Sequence, residues 1–193
     1  MTKKQQQYGL FIDTTQEYCV LALIYHQKVV AITKEYAMGS IADILVNSIK
    51  KLLSKNKVKK EQITDLYLII GPGSFTGSRM GYLVAMAWIA TYKDVNLHVC
   101  DSLRFNVVKE YGIGLIDAKS KKSYLAIFDA KQPIKPCLVN NNELEKIFKK
   151  YQHLTIYDVY PKNVKQQIER ILKYMSKVKD PKSLTPLYIK EPI

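Results

Sequence analysis

Two aspartates and one glycine-rich loop are the parts of this sequence whose residue types could carry out a reaction. Asp13 and Asp117 each end a short apolar run, and the loop from Gly71 to Gly77 reads Gly-Pro-Gly-Ser-Phe-Thr-Gly. In a phosphotransferase, such carboxylates hold Mg²⁺ and orient the nucleophile, while the N–H groups of a glycine-rich loop bind phosphate. Turn and capping roles are commoner for aspartates at strand ends, and a structural strand-to-helix turn is the commoner role for such a loop.

The loop also departs from the standard phosphate-binding motifs. It lacks the Lys-Ser/Thr ending of a P-loop and does not match the dinucleotide spacing. Ser74 is not in a nucleophile-elbow context, so a catalytic triad has little support. The histidines and cysteines are widely spaced, without an H-x-x-x-H or CxxC pair, which argues against a metal site and a disulfide framework. They are His26, His98, His153, Cys19, Cys100 and Cys137.

The glycine-rich loop must be positioned by the elements on either side of it. The run Leu66–Ile70 is too apolar for a half-exposed strand, so we expect it in the middle of a covered sheet. Ser74 and Thr76 are natural N-caps for the helix that follows. That helix is apolar on nearly all sides, so we expect its own sheet on one side and a second helix, of this chain or of another subunit, on the other.

Small residues mark one side of this helix. Gly77, Gly81 and Ala85 recur every four residues, a spacing that lets a second helix approach closely. If that helix belongs to a partner, Gly81→Trp should leave the monomer folded but abolish pairing, because bulk at the closest approach disturbs packing on the partner side.

The remaining periodicity predicts an α/β protein with the order β-β-β-α-β-α-β-α followed by a looser α/β portion. We therefore divide the chain into an N-terminal lobe, residues 1–112, and a shorter C-terminal lobe, residues 113–193. The expected strands are Tyr8–Ile12, Tyr18–Tyr25, Val29–Tyr36, Leu66–Ile70, Val95–Val99, Gly114–Ala118, Ser123–Phe128, Leu154–Tyr157 and a docked tail, Pro186–Ile189. The expected helices are Ile41–Leu53, Thr76–Ala90, Leu103–Tyr111, Asn142–Tyr151 and Asn163–Lys177.

Composition narrows the class of protein but not its function. The chain has 193 residues, a formal net charge of +13 and 47% hydrophobic residues, so it is globular rather than disordered. A basic surface attracts nucleic acid. However, the cations are almost all lysine, and the abundance of lysine, tyrosine, asparagine and isoleucine together fits an AT-rich coding sequence equally well. The sequence shows no signal peptide and no membrane-spanning run, which favours a cytoplasmic protein.

Several of these motifs together resemble the TsaB (YeaZ) family. The segment Gly71 to Gly81 is very close to the family signature G-P-G-S-F-T-G-x-R-x-G, and Phe11 to Leu23 is similar to the family's opening strands. Further similarity lies in Asp101–Leu103, Ile116–Ala118 and Pro186–Ile189, so that the resemblance extends from about Tyr8 to Ile189. It implies an actin-like ATPase fold (ASKHA, ribonuclease H-like), with a mixed sheet flanked by helices and a smaller C-terminal α/β lobe.

The resemblance also implies a function. TsaB proteins are related to the glycoprotease-like catalytic subunit TsaD but are non-catalytic, and they act with TsaD and the ATPase TsaE to place threonylcarbamoyl on the adenosine beside the anticodon of ANN-decoding tRNAs. They pair with TsaD, or with themselves when alone, through their first two helices. The resemblance thus implies no catalytic residue, no metal, no cofactor and no membrane contact, and it leaves open an indirect contact with tRNA.

The residues that follow from this resemblance form two groups. The partner-binding candidates are Ile41, Ile44, Leu45, Ser48, Gly77, Arg79, Gly81, Leu83, Val84, Ala85 and Trp88. The residues of a degenerate phosphate loop are Asp13, Thr14, Gly71, Gly73, Ser74 and Thr76.

The chain departs from the family pattern at two places. Ile69 and Ile70 stand where a small and a polar residue usually precede the loop, and the histidine common at the head of the first helix is replaced near Gly39–Ser40. The alternative function is an enzyme, either an actin-fold phosphotransferase or a glycoprotease-like activity, that uses Asp13 and the Gly71–Gly77 loop.

Overall fold

The structure is a computed structural model that describes residues 6–37, 39–92 and 94–189. The strands are β1 (Tyr8–Asp13), β2 (Tyr18–Tyr25), β3 (Lys28–Tyr36), β4 (Ile63–Ile69), β5 (Asn96–Cys100), β6 (Gly112–Asp117), β7 (Lys122–Phe128), β8 (Ile134–Asn140), β9 (Ile156–Tyr157) and β10 (Ser176–Lys177). The α-helices are α1 (Ile41–Lys55), α2 (Phe75–Thr91), α3 (Ser102–Asn106), α4 (Leu144–Lys150) and α5 (Val164–Ile171). Short 3-10 turns lie at Lys60–Gln62, Asn141–Glu143, Leu172–Tyr174 and Pro181–Ser183.

The first sheet has the strand order β10-β5-β4-β1-β2-β3. Strands β1, β2 and β3 form an antiparallel meander, with Phe11 opposite Ala22 and Leu21 opposite Thr33. Strands β1, β4 and β5 are parallel neighbours, as expected for strands joined through crossover helices. The predicted α/β fold, the meander and the central position of β4 are therefore confirmed.

Strand β1 is apolar throughout because both of its faces are covered. Leu10 and Ile12 belong to one core cluster with Leu45 of α1, on the side where α1 and α2 lie. Phe11, whose side chain points the other way, belongs to a second cluster with Ile168 of α5. The sheet is thus enclosed between α1 and α2 on one face and α5 on the other.

The second sheet has the order β8-β7-β6-β9, and helix α3 connects it to the first. Leu103 of α3 packs with Ala126 of the second sheet, whereas Phe105 lies 5.6 Å from Phe11 of the first sheet between ring centroids. The other face of the second sheet is covered by α4 through residues such as Phe148. Although α5 and β10 come late in the chain, they pack on the first sheet.

The structure corrects four sequence-based boundaries. Strand β8 was not expected because Pro136 interrupts it, but β8 is an edge strand, where proline is tolerated. The helix predicted to reach Lys177 ends at Ile171, and the chain then pairs with β5 as β10. Helix α3 is shorter than predicted, and the Asp101 side chain caps its first turn. The tail docks through a hydrogen bond from the Leu187 N–H to the Ile70 carbonyl but does not form a strand.

Within the described ranges, no helix combines the length and the apolar character that crossing a membrane requires.

Candidate functional site

Asp13 lies at the carboxyl end of β1, and its carboxylate is fully buried. Its Oδ1 accepts hydrogen bonds from the Thr15 N–H at 2.9 Å and the Thr15 hydroxyl at 2.7 Å. Its Oδ2 accepts one from the Tyr160 hydroxyl at 2.8 Å. Burial raises the pKa of Asp13, and the hydrogen bonds from Thr15 and Tyr160 oppose that shift. Both carboxylate oxygens are therefore engaged by the protein itself.

The concave side of the glycine-rich loop is filled by the turn between β1 and β2. The Ser74 N–H donates to the Thr15 carbonyl at 2.6 Å, and the Thr14 hydroxyl donates to the Gly77 carbonyl at 2.6 Å. A Cβ atom added to Gly73 would overlap the Thr15 carbonyl, and one added to Gly77 would overlap the Thr14 carbonyl. The glycines are thus required for a close approach of two backbone segments of this chain.

Further polar groups of the loop are paired within the chain. The Ser74 hydroxyl accepts from the Gly77 N–H at 3.1 Å, which makes Ser74 the N-cap of α2 as predicted, while Thr76 lies exposed in the first turn. The Gly71 carbonyl accepts from the Ser102 N–H at 2.8 Å, and the Ser102 hydroxyl donates to the Pro72 carbonyl. The N–H groups of Ser74 and Gly77, which would face a bound phosphate in a true phosphate loop, therefore have acceptors within the chain.

Asp117 is in a different environment from Asp13. Its side chain is 61% exposed and contacts the Lys119 ammonium at 2.9 Å, and it lines a cleft of about 440 Å³ that also touches Ser74 and Tyr160. Asp13 has no exposed surface and is bonded to Tyr160, which separates it from the cleft. The structure does not bring the two carboxylates together in one open site.

The described residues contain no group of three or more histidine, cysteine or carboxylate side chains arranged to hold a metal ion. The three histidines lie apart. His98 Nε2 contacts Asp65 at 3.0 Å, His153 Nε2 lies 3.7 Å from Asp129, and His26 occupies the turn between β2 and β3.

The inner side of α2 is formed by its small residues. Ala85 is fully buried, and a Cβ atom added to Gly81 would lie 2.6 Å from the Thr14 hydroxyl and 3.3 Å from Leu68 Cδ1. Gly77 and Gly81 thus bring α2 close to the β1–β2 turn and to β4 of its own chain, which differs from the close approach of a second helix that the sequence suggested. We therefore expect Gly81→Trp to disrupt the monomer, contrary to the expectation from the sequence.

The remaining partner-binding candidates divide between the core and the surface. In addition to the small residues, Ile41, Leu45, Ser48 and Trp88 are buried. Leu83 is 55% exposed, Arg79 is exposed, and Ile44 and Val84 are half-buried. Val46 of α1, which the sequence analysis did not select, is 45% exposed. The accessible candidates on the two helices are Ile44, Arg79, Leu83 and Val84; together with Val46, we call these residues the outer α1–α2 surface.

Tyr160 is the residue of this site that sequence reasoning missed. It is 147 positions away from Asp13 and follows a short strand in the second half of the chain. Its ring packs against Tyr18 at 5.3 Å and Phe105 at 5.6 Å between centroids. No local pattern distinguishes it among the 14 tyrosines of the sequence, so only the fold could identify it.

No family model matches the sequence. A protein of Mycoplasma genitalium described as "Uncharacterized protein MG208" is 29% identical to this chain in an alignment 193 residues long. The alignment covers 96% of this chain and 96% of that protein.

Two solved structures from Pseudomonas aeruginosa are similar over nearly the whole chain. One, described as an uncharacterized protein with similarity to peptidase YeaZ, has a TM-score of 0.74 at 14% identity and covers 95% of this chain and 100% of its own. The other, YeaZ, has a TM-score of 0.71 at 15% identity and covers 94% and 99%. Over nearly its full length, this chain has the actin-like α/β fold of YeaZ.

Proposed function

We propose that this protein is a non-catalytic accessory subunit of the machinery that adds threonylcarbamoyl to the adenosine beside the anticodon of ANN-decoding tRNAs. Two independent features support a TsaB-like role. The sequence from Gly71 to Gly81 resembles the TsaB signature, and the fold is that of YeaZ. The partners expected from this role are a TsaD-type catalytic subunit and a TsaE-type ATPase, with a homodimer when the protein is alone.

The internal pairing of Asp13 is the observation that carries the non-catalytic part of the proposal. A phosphotransferase needs a carboxylate with a lone pair open to Mg²⁺ and loop N–H groups open to phosphate. Here Tyr160 and Thr15 engage both oxygens of Asp13, and Thr15 accepts the Ser74 N–H. Nucleotide binding would have to break these contacts first.

The outer α1–α2 surface supports the partner-binding part of the proposal. Leu83 and Val46 are large aliphatic residues that remain about half exposed, and the half-buried Ile44 and Val84 lie on the same two helices. Burial of such side chains in a partner interface is favourable by about 25 cal/mol per Å² of apolar area. Arg79, stacked on the Phe75 ring at 4.8 Å, adds a cation at the start of α2.

Size-exclusion chromatography and pull-down with a TsaD-type subunit test this surface. Leu83→Glu places a charge in the proposed contact and should abolish association. The control, Val159→Glu, changes a position that is 64% exposed and lies between β9 and α5, so it should leave association intact. If Leu83→Glu pairs as well as the unchanged protein, the outer α1–α2 surface is not the interface.

Calorimetry with ATP and Mg²⁺ tests the non-catalytic part separately. We expect no binding by the unchanged protein, because Asp13 has no exposed surface and its oxygens accept hydrogen bonds from Thr15 and Tyr160. Tight binding that is lost in Asp13→Asn would support the enzyme alternative and would contradict the proposal.

A further inference from the structure

A wide cavity outside the cleft is lined by lysines from separate chain segments. Its volume is about 890 Å³, and its lining comes from the segments before β6, after β7 and between α4 and β9. We call the residues that carry the argument the basic groove. They are Lys109, Tyr111, Lys131, Lys150 and His153.

Two arginines, Arg104, which is buried, and Arg170, which is half-buried, bond to the chain segment that forms one wall of this groove. Arg104 donates to the carbonyls of Val107 at 3.2 Å and Glu110 at 2.8 Å, and Arg170 donates to the carbonyl of Lys109 at 3.2 Å. Among the described residues, neither guanidinium forms a salt bridge with a carboxylate. Backbone carbonyls accept hydrogen bonds from both guanidinium groups without cancelling their charge. Asp101 offsets part of the charge of Arg104, and the remaining positive charge of the two arginines adds to the field in the groove.

The acidic residues of the groove compensate only part of this charge. Glu110 and Asp129 also line the cavity. Asp129 accepts a hydrogen bond from the Gln132 N–H at 3.2 Å and lies 3.7 Å from His153 Nε2. The three lysines of the groove form no salt bridge with a described carboxylate, so their ammonium groups can take an anionic ligand.

Aromatic rings stand beside these cations. Tyr111 is 46% exposed at the groove. Tyr151 packs against His153 at 6.3 Å between centroids, with the Lys150 ammonium 5.2 Å from its ring. Tyr151 itself is buried, so Tyr111 is the tyrosine whose ring is open to a ligand. Lysines beside an exposed ring are typical of single-stranded nucleic-acid sites, where phosphates contact the cations and bases stack on the ring.

We propose that the basic groove binds single-stranded RNA, with successive phosphates on the lysines and a base stacked on Tyr111. An acidic polypeptide would also be attracted by the lysines but would gain little from the exposed ring, so the combination favours RNA. The biological meaning of this contact rests on the proposed function, since a subunit of a tRNA-modifying complex would meet RNA directly. The binding itself needs no partner protein and can be measured on the chain alone.

Fluorescence anisotropy with a labelled, unstructured RNA tests the proposal. The RNA has about ten nucleotides, a length within the range that single-stranded sites cover. The triple variant Lys109→Gln/Lys131→Gln/Lys150→Gln should bind the RNA about tenfold or more weakly. Between about 50 and about 200 mM salt, the slope of log K against log salt concentration should be shallower by up to about one for each phosphate contact that is lost. The matched control, Lys51→Gln/Lys55→Gln/Lys60→Gln, removes the same charge from exposed positions of the first lobe. It should stay within about twofold of the unchanged protein.

Two further measurements separate RNA from other polyanions. Tyr111→Leu keeps the bulk but loses the stacking ring, so it should weaken RNA binding about fivefold to tenfold without changing the salt dependence. Polyglutamate of the same length should displace the RNA much less effectively than unlabelled RNA does.

The proposal is overturned if both lysine triples lose affinity equally, because binding would then reflect only the net charge. It is also overturned if the groove triple binds like the unchanged protein, or if polyglutamate competes as well as RNA. None of these outcomes bears on the outer α1–α2 surface, so failure here and failure of the proposed function are distinguishable. Circular dichroism of each variant checks that it is folded.

Discussion

The buried cluster around Asp13 and the basic groove are both rich in polar groups, but these groups are paired in the cluster and open to solvent in the groove. In the cluster, Asp13 has no exposed surface and is hydrogen-bonded to Thr15 and Tyr160. In the groove, Lys109, Lys131 and Lys150 have no described carboxylate partner and face an open cavity. The residues around Asp13 therefore stabilise the fold, whereas the groove residues are available to a ligand.

This difference shows why residue type alone misdirects a search for function. An aspartate at a strand end beside a glycine-rich loop has the residue types of a phosphate site, yet here it joins the β1–β2 turn to Tyr160. The groove lysines are of the residue type found on any solvated surface, yet Arg104 and Arg170 add to the positive charge around them. The contrast predicts that substitutions around Asp13 and the glycine-rich loop change the stability of the fold. Substitutions in the groove should change the binding of a ligand.

The largest effect is expected for Gly77→Ala. The added Cβ would overlap the Thr14 carbonyl, so the loop and the β1–β2 turn must separate, and the free energy of unfolding should fall by about 3 kcal/mol or more. Gly39→Ala is the matched control, because nothing lies within 4 Å of its added Cβ and only its positive φ of +80° is unfavourable. It should cost about 1 kcal/mol. Urea unfolding of both variants measures the difference in the free energy of unfolding. Equal losses would mean that the overlap with the Thr14 carbonyl adds nothing to the cost of Gly77→Ala.

Tyr160→Phe should have the next largest effect. It removes the hydroxyl bonded to Asp13 Oδ2 and leaves that buried oxygen without its donor, which should lower the free energy of unfolding by about 1–3 kcal/mol. Tyr111→Phe, at an exposed position, should change it by less than about 0.5 kcal/mol. In the background of Asp13→Asn the effect of Tyr160→Phe should change in size, and simple additivity in a double-mutant cycle would contradict the contact.

The pH dependence of stability gives a third comparison. Burial raises the pKa of Asp13 in the folded protein above its ordinary value of 3.8. Its stabilising contribution is therefore complete below about pH 4 and is lost as the pH rises through the folded pKa. Asp13→Asn does not titrate, so its stability relative to the unchanged protein should improve as the pH increases. Urea midpoints of both proteins between about pH 4 and about pH 8 provide the measurement. A constant difference would show that the carboxylate is not perturbed.

The smallest effect is expected for the groove triple, Lys109→Gln/Lys131→Gln/Lys150→Gln. Because these lysines form no salt bridge with a described carboxylate, their loss should change the free energy of unfolding by less than about 0.5 kcal/mol. The change should be a small increase in stability, since the loss of three positive charges decreases the self-repulsion in a chain of net charge +13. A loss comparable to that of Tyr160→Phe would mean that the groove is structural.

Local patterns were sufficient for the strands that the first half of the chain gives to the first sheet and insufficient for the second half of the chain. Runs such as Leu66–Ile70, together with the Ser74 cap, predicted the strand, loop and helix that organise the fold, because burial on both faces and capping leave signals in adjacent residues. Strand β8 was missed because its stability comes from pairing with β7, not from its own proline-interrupted sequence. The end of α5 was misplaced because β10 is defined by its pairing with β5.

The sequence by itself determined the α/β order, the position of the glycine-rich loop and the candidate residues in and around it. The tertiary structure alone decided what those residues do: it turned the side of α2 that carries Gly81 and Ala85 toward the sheet, placed Tyr160 on Asp13, and brought lysines from three segments around one cavity. The physical reason is that periodicity and capping are properties of neighbouring residues. The pairing of a buried polar group and the summed field of distant charges depend on contacts between residues far apart in the chain.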